Sequence, residues 1–422
     1  MQLHCSTSAV YRQDRLIPGG LTPITPEEAE AAIAKQVSVL PAEIRPLELC
    51  SGQTLRQDIY PERDNPPFDR VCMDGIAIAS AVFERGARAF RIESTQGAGA
   101  PAVRLVDPAN AIEVMTGAIL PGGTDCIIPQ EEYDEHGDVV TVKPQVVGRA
   151  FRNVQRRGED SAPDAPMLKA GIRLGPPEIA TAASAGLAQV SVTRQPRIIA
   201  ISTGDELVDP GQPILAHQIR RSNVYAIMAS LRDRGYERVA NDHIHDDEQA
   251  LTEALSRHLS ERDVLVLSGG VSKGKFDYVP QVLRKLGVEE IFYEVAQRPG
   301  KPMYFGLGPS GQAVFGLPGN PVATLICLVR YVVPALIYMS GCGQVPVQHM
   351  TLASTVKAPK AAATYLMPVA VRVDERGAPV AVPMPPNGPG DFLALTKTYG
   401  FIELPPQPEP FEPGFVARFY RW

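Results

Sequence analysis

From Pro196 onward the chain alternates continuous apolar runs of strand length with helical segments, a pattern that few architectures can satisfy. Arg197–Ser202 is such a run, Asn223–Arg234 is helical, Glu237–Ile244 is strand-like and Asp246–Ser260 is helical. A second continuous run, Val264-Leu265-Val266-Leu267 within Asp263–Leu267, precedes a helical Tyr278–Leu286. Ala313–Leu317 then precedes an apolar helix from Pro321. A strand that is apolar at every position is buried on both faces, as in a parallel sheet sandwiched between helices. The pattern predicts a doubly wound, mostly parallel α/β domain over 193–340. The apolar stretch Val322–Met339 is broken by Arg330 and Pro334, leaving no run near the ~20 residues that cross a bilayer. It predicts a buried helix and no membrane attachment.

Elsewhere the character changes. Thr25-Pro26-Glu27-Glu28 has the residues of a capping box with proline at the first helical position, predicting a helix to about Leu40. Between Tyr60 and Arg149, short β-like runs (Gly75–Ile78, Ala111–Met115, Cys126–Pro129, Val139–Val142) alternate with Gly/Pro-rich turns and predict a β-rich module. It lies between helical segments at 25–40 and 176–188, so the flanks form one domain that the module interrupts. The tail from Gly341, with short strands and proline-rich turns, predicts a small β-barrel or sandwich. The chain has 41 basic and 47 acidic residues among 422, a net charge of −6, which argues against a broad electrostatic grip on nucleic acid or anionic lipid. Six scattered cysteines without a CxxC pair indicate neither a zinc ribbon nor a disulfide scaffold. The segment from Met1 to Gly20 carries Arg12, Asp14 and Arg15 and lacks the apolar centre of a signal peptide. These features fit a reducing cytoplasm.

In an open parallel sheet, ligands bind beyond the carboxyl ends of the strands. Three segments occupy those ends: Ser202-Thr203-Gly204-Asp205-Glu206; Ser268-Gly269-Gly270-Val271-Ser272-Lys273-Gly274-Lys275, with Asp277 just beyond; and Leu317-Pro318-Gly319-Asn320-Pro321. Glycine turns and helix starts together favour a phosphate-bearing ligand. Gly269, Gly274 and Lys275 approach the nucleotide-hydrolase spacing, but Phe276 stands where that motif needs Ser or Thr to hold magnesium, so that class is rejected. Asp205, Glu206, Asp246, Asp247 and Asp277 cluster near the same edge, and carboxylates beside a phosphate imply a divalent cation, with magnesium the natural choice. Asp246 reads equally well as a helix cap, with Gln249 at capping-box spacing. Arg298 and Lys301 flank the Pro299-Gly300 turn and suit an oxyanion. His243 and His245, two apart on a strand, read as surface groups. Phe68-Asp69-Arg70, Met73-Asp74-Gly75 and Met115-Thr116-Gly117-Ala118 read by themselves as ordinary loops. No Ser-His-Asp pattern or dinucleotide fingerprint is present.

In chain order, Phe68-Asp69 with Met73-Asp74-Gly75, Met115 to Ala118, Arg156-Arg157-Gly158-Glu159-Asp160, Ser202 to Leu207, Ser268 to Asp277, Pro299-Gly300-Lys301-Pro302 and Gly316 to Pro321 resemble the molybdopterin molybdenumtransferase family. These are the bacterial molybdenum insertases related to the C-terminal part of gephyrin. The resemblance implies four parts: a discontinuous linker and dimerisation domain at 21–58 and 153–192, a β-rich extension at 59–152, the molybdopterin-binding α/β domain at 193–340, and a β-barrel-like domain at 341–422. It implies a homodimer whose cleft lies between the α/β domain of one subunit and the extension of the other. The implied reaction inserts molybdate into adenylated molybdopterin with Mg2+, releasing AMP and molybdenum cofactor, which passes to molybdoenzymes. Carried over position by position, Asp69, Thr116, Asp160, Glu206 and Asp277 would be catalytic. Glu206, Asp246 and Asp277 would hold the metal. Thr203, Gly204, Asp205, Ser268, Gly269, Gly270, Ser272, Arg298, Lys301, Pro318, Gly319, Asn320 and Pro321 would bind substrate.

The chain departs from the family's usual pattern in several places. Val71-Cys72 stands where a serine is common, Arg220-Arg221 follows Ile219 where an aspartate is common, and Glu294 occupies a frequent lysine position. Arg298 replaces another lysine, and an arginine is missing near Ala363-Thr364-Tyr365. Added and reversed charges re-tune ligand preference or mark the alternative, a non-catalytic paralogue that binds or carries molybdopterin or molybdenum cofactor.

Overall fold

The computed structural model describes residues 23–162, 164–270, 278–343 and 347–422, which divide into two compact units. One comprises the chain up to Ala42 together with Thr193–Trp422, and the other Glu43–Val192.

The larger unit contains the doubly wound domain. Its six-stranded sheet runs in the order Val239–Ile244, Ile198–Thr203, Val264–Ser268, Ala313–Leu317, Pro302–Leu307 and Glu289–Glu294. The first four strands are parallel; Pro302–Leu307 runs antiparallel to both its neighbours, so Glu289–Glu294 points the same way as the first four. Neither of these last two strands is evident from pattern. Glu289–Glu294 bears glutamates at both ends as an edge strand, and Gly306 interrupts the other. Successive strand residues point to opposite faces, and the core divides accordingly. Ile198, Ala200, Val264 and Val266 join one apolar cluster with helices Pro26–Gln36, Asn223–Asp233 and Pro321–Cys327 with its continuation; Ile199, Ile201, Leu265 and Leu267 join another with Glu248–Glu261 and Val279–Lys285.

The amino-terminal helix starts as its sequence dictates: the Glu28 amide donates to Thr25 Oγ1 (3.1 Å) and the Thr25 amide to Glu28 Oε2 (2.8 Å). It ends at Gln36, not Leu40. The β-branched Val37 and Val39 and the approach of Pro41 favour extension, and the Leu40 amide instead donates to the Met339 carbonyl (2.8 Å).

The helical stretch Pro321–Ser340 is long and apolar enough to cross a membrane by length and composition alone, yet 72% of its apolar window is buried inside the protein. One wide π turn, Leu328–Val332, precedes Pro334, whose ring cannot fit beneath a regular α turn. Arg330 on that turn is wholly buried and bonded to Glu403 Oε2 (2.8 Å) and Glu30 Oε2 (2.9 Å).

The carboxyl-terminal part is a closed barrel of five strands, Gln348–Leu352, Thr364–Val373, Pro379–Pro383, Gly400–Leu404 and Val416–Arg421. The long Thr364–Val373 strand pairs with both Pro379–Pro383 and Gly400–Leu404 to close the ring.

The second unit carries a six-stranded sheet ordered Cys126–Pro129, Gly75–Ile78, Ala111–Val114, Ala89–Gln96, Val139–Val142 and Tyr133–His136. Separate clusters centred on Ile76 and on Ile112 give it a core, and a third apolar cluster joins Leu47 and Leu55 to helix Pro176–Ser184 and to Val192.

Candidate active site

Strand register brings the three glycine-bearing turns to one level. Ser202 lies opposite both His243 and Ser268, and Ser268 opposite Leu317, so the chain leaves adjacent parallel strands at the same edge. The turns then touch. Gly269 and Gly270 take φ +93° and +67°; a Cβ on Gly270 would lie 2.6 Å from Thr203 Oγ1, and one on Gly269 3.1 Å from the Thr203 carbonyl oxygen. A Cβ on Gly319 would come within 3.6 Å of the Gly269 Cα, and the Gly269 amide donates to the Leu317 carbonyl (3.3 Å).

Asn223, the first residue of helix Asn223–Asp233, ties the assembly together. Its Nδ2 donates to Ser268 Oγ (2.8 Å), the Gly319 carbonyl (2.8 Å) and Thr324 Oγ1 (3.2 Å). Thr324 Oγ1 in turn donates to the Pro318 carbonyl (2.6 Å). Among the described residues Thr203 Oγ1 and Asn223 Oδ1 are buried with no hydrogen-bond partner, and polar atoms of this kind mark a place where a bound group or water belongs. Ser272 and Asp277 lie outside the described residues, as do Gly274, Lys275 and Phe276 of the segment that mimics a nucleotide-hydrolase loop.

The acidic groups divide by role. His245 Nδ1 bonds Asp205 Oδ1 (2.9 Å), and this bond holds the Asp205 carboxyl below the usual range. Asp247, not Asp246, caps helix Glu248–Glu261, accepting from the Ala250 amide (2.8 Å). The Asp246 amide approaches Asp205 Oδ1 (3.4 Å). Glu206 is exposed and folds back over Gly204, where an added Cβ would lie 2.6 Å from its Oε2. It has no ion pair among the described residues. Magnesium typically takes one or two protein carboxylates and completes its shell with water and substrate phosphate. Glu206 and Asp246 fit that demand, and among the described residues no group of three or more ligand side chains would form a closed cage.

His245 is exposed, as the sequence suggests, but His243 is more than a surface group. His243 Nδ1 bonds Ser202 Oγ (3.0 Å), and burial, followed by the nearby Arg221, keeps its pKa below the ordinary value, so the ring is neutral at neutral pH.

Arg298 and Lys301 line a cleft of about 510 Å³ that also includes Pro318 and Asn320 of the third turn and Tyr365 and Leu366 of the barrel. The cation turn and the glycine turns are thus neighbours. Lys301 Nζ lies 3.2 Å from Glu294 Oε2, whereas Arg298 is exposed and makes no ion pair among the described residues.

In the second unit, Asp69, Thr116 and Asp160 fall on one linked set of turns. Asp69 Oδ1 accepts from the Arg157 amide (2.8 Å), and Asp160 Oδ1 from Gln155 Nε2 (2.8 Å), which is bonded through Oε1 to Arg70. Thr116 donates through both amide (2.6 Å) and hydroxyl (2.7 Å) to Asp74 Oδ1, and these bonds, the hydroxyl's first, hold Asp74 below the usual carboxylate range.

Three family profiles match in succession: the MoeA N-terminal region (domain I and II) over residues 24–186, a domain described as "Probable molybdopterin binding domain" over 199–337, and the MoeA C-terminal region (domain IV) over 350–422. A molybdopterin molybdenumtransferase of Synechocystis sp. is 38% identical over 88% of this chain and 93% of its own length. The chain belongs to the molybdopterin molybdenumtransferase family. A molybdopterin molybdenumtransferase of Staphylococcus aureus is 31% identical over 94% of each chain. The solved structure of a molybdopterin biosynthesis MoeA protein from Pyrococcus horikosii superposes with a TM-score of 0.76 at 27% identity, covering 95% of this chain and 99% of that one.

Against the usual molybdopterin molybdenumtransferase pattern, two added cations turn out to be structural. Arg221 is buried and bonded to Asp209 Oδ1 (2.8 Å), Asn241 and the Asp242 carbonyl, and Arg220 donates to the Asp209 and Gln212 carbonyls (both 2.8 Å). Both brace the loop after the first strand; the Arg221 charge is met by Asp209, whereas Arg220 is exposed and bonded, among the described residues, only to neutral carbonyls. The reversed charge at Glu294 acts on Lys301 directly. Asn223 and His243 are the site residues missed by reading the sequence. The Ser222-Asn223 pair at a helix start was the available signal for Asn223. For His243, register with Ser202 becomes visible only once the strands are paired.

Proposed function

We propose that this chain inserts molybdate into adenylated molybdopterin, releasing AMP and forming molybdenum cofactor for molybdoenzymes, as a Mg2+-dependent cytoplasmic homodimer of the four-part build. The observation that carries this reading is the single edge on which the three glycine turns adjoin the Arg298–Lys301 cleft. A dithiolene pterin joined to a nucleotide through phosphates must meet a tetrahedral oxyanion, so the site must accept two anionic species at once. The amides and hydroxyls of Thr203, Ser268, Gly269, Gly270 and Gly319 suit the phosphates, with Gly204, Asp205, Pro318, Asn320 and Pro321 shaping the turns. Arg298 and Lys301 offset the oxyanion charge. Glu206 and Asp246, with Asp277, would hold magnesium, which supplies charge neutralisation at the phosphates when bound. Ser272 belongs to the same phosphate-binding set, and Asp69, Thr116 and Asp160 serve the reaction from the second unit.

Glu206→Ala and Asp246→Ala should each abolish AMP release while thermal unfolding stays unchanged. Wild-type turnover in both would remove the metal-holding role. The Glu294–Lys301 pair favours a second reading, a carrier that binds the pterin without turnover, because it neutralises one of the two cations facing the cleft.

A further inference from the structure

Beneath the Arg298–Lys301 turn lies a chain of buried polar groups that the apolar core does not require. Gln297 is 1% exposed, Tyr331 1% and Cys327 0%. The Tyr331 hydroxyl donates to Gln297 Oε1, and Gln297 Nε2 donates to the Gly300 carbonyl (3.1 Å) and contacts Cys327 Sγ (3.5 Å). Gly300 sits at φ +92°, and a Cβ there would lie 2.5 Å from Cys327 Sγ and 2.9 Å from Gln297 Nε2. The turn is therefore clamped from below, with no room for relaxation. Its two ends are held as well: the Val295 amide donates to the Lys301 carbonyl (3.0 Å), and Gln297-Arg298 pairs with Thr364-Tyr365 of the barrel. A phenylalanine at 331 and a methionine at 297 would fill similar space without burying an amide and a phenol, whose desolvation costs free energy unless every bond is made.

We infer that Gln297 and Tyr331 are positioning residues that fix the cation turn, and through it the affinity for the oxyanion, without touching the oxyanion themselves. The inference rests on the reading that Arg298 and Lys301 face that oxyanion. Burial pushes the Tyr331 hydroxyl well above its ordinary range and the Cys327 thiol up to about 12. Tyr331 keeps its proton, and because the Gly300 carbonyl can only accept, the Gln297 amide turns Nε2 toward Gly300 and Oε1 toward the Tyr331 hydroxyl. The wide π turn bears on this network too, because it places Tyr331 against Gln297 while the adjacent Arg330 reaches Glu403 in the barrel. The two walls of the cleft are thereby tied to the turn between them.

The test uses the full chain and three readouts: molybdate binding by isothermal titration, KM for each substrate, and thermal unfolding. Tyr331→Phe should weaken molybdate binding and raise the molybdate KM by about tenfold, the worth of one buried hydrogen bond. The KM for adenylated molybdopterin and kcat should stay within about twofold, since the glycine turns are untouched. Gln297→Met should give the same split and serves if Tyr331→Phe does not fold. Arg298→Ala and Lys301→Ala probe the underlying reading. Unchanged molybdate KM in both overturns that reading and this inference with it. A raised value in those two, with an unchanged value in Tyr331→Phe and Gln297→Met, overturns the inference alone, as does an equal rise for both substrates.

Discussion

Asn223 shows how much one side chain can contribute at this edge. Its amide nitrogen serves three acceptors, on two turns and in helix Pro321–Cys327, so truncation leaves the Ser268 hydroxyl, the Gly319 carbonyl and the Thr324 hydroxyl to find other partners. Asn223→Ala should cost about 1–3 kcal/mol in urea unfolding, the usual penalty for unsatisfied buried groups, and should weaken binding of the adenylated pterin. A variant of wild-type stability and affinity would show that the turns hold their places without it. Gly270 makes the complementary point: its positive φ and the 2.6 Å approach to Thr203 Oγ1 exclude any side chain. Such glycines are legible in sequence because their spacing follows each strand. Asn223 is less so, since an asparagine at a helix start ordinarily reads as a local cap.

The parallel strands have chemically distinct ends. At the amino-terminal end, Asp263 accepts from Arg194 (2.9 and 3.0 Å) and Arg197 (3.1 Å, and 2.7 Å from its amide). Burial alone would raise its pKa, but the two arginines more than reverse this and hold the carboxyl far below its ordinary value. A carboxylate with a depressed native pKa stabilises the fold fully above its unfolded pKa, and that contribution is lost as pH falls through the native value. Asp263→Asn should therefore lower Tm at pH 7, and the gap to wild type should narrow below about pH 4. A gap that is constant from pH 7 to pH 3 would contradict the ion-pair origin. Continuous apolar runs, such as Val264–Ser268 and Ala313–Leu317, are legible in sequence because both faces are covered. Glu289–Glu294 and Pro302–Leu307 are not, because an edge strand bearing glutamates and a strand broken by glycine lack that signal. The cap of helix Glu248–Glu261 shifts by one residue, from Asp246 to Asp247, because two adjacent aspartates offer equivalent caps until the backbone selects one.

At the scale of the whole molecule, the edge formed by the glycine turns and the Arg298–Lys301 cleft belong to one compact unit, whereas Asp69, Thr116 and Asp160 belong to the other. Nothing in the spacing of residues 69, 116 and 160 marks them as functional. They stand out only through resemblance, and the structure then joins their turns through the Leu120 amide, which donates to the Asp69 carbonyl (2.8 Å), and the Arg70–Gln155 bond. Catalysis and carriage make the same demands on binding, so affinity alone does not separate them; turnover does. The deciding measurement is a pre-steady-state assay of the full chain with adenylated molybdopterin and magnesium, with and without molybdate. An insertase should release AMP in a molybdate-dependent burst, and tight binding with no molybdate-dependent AMP would contradict it.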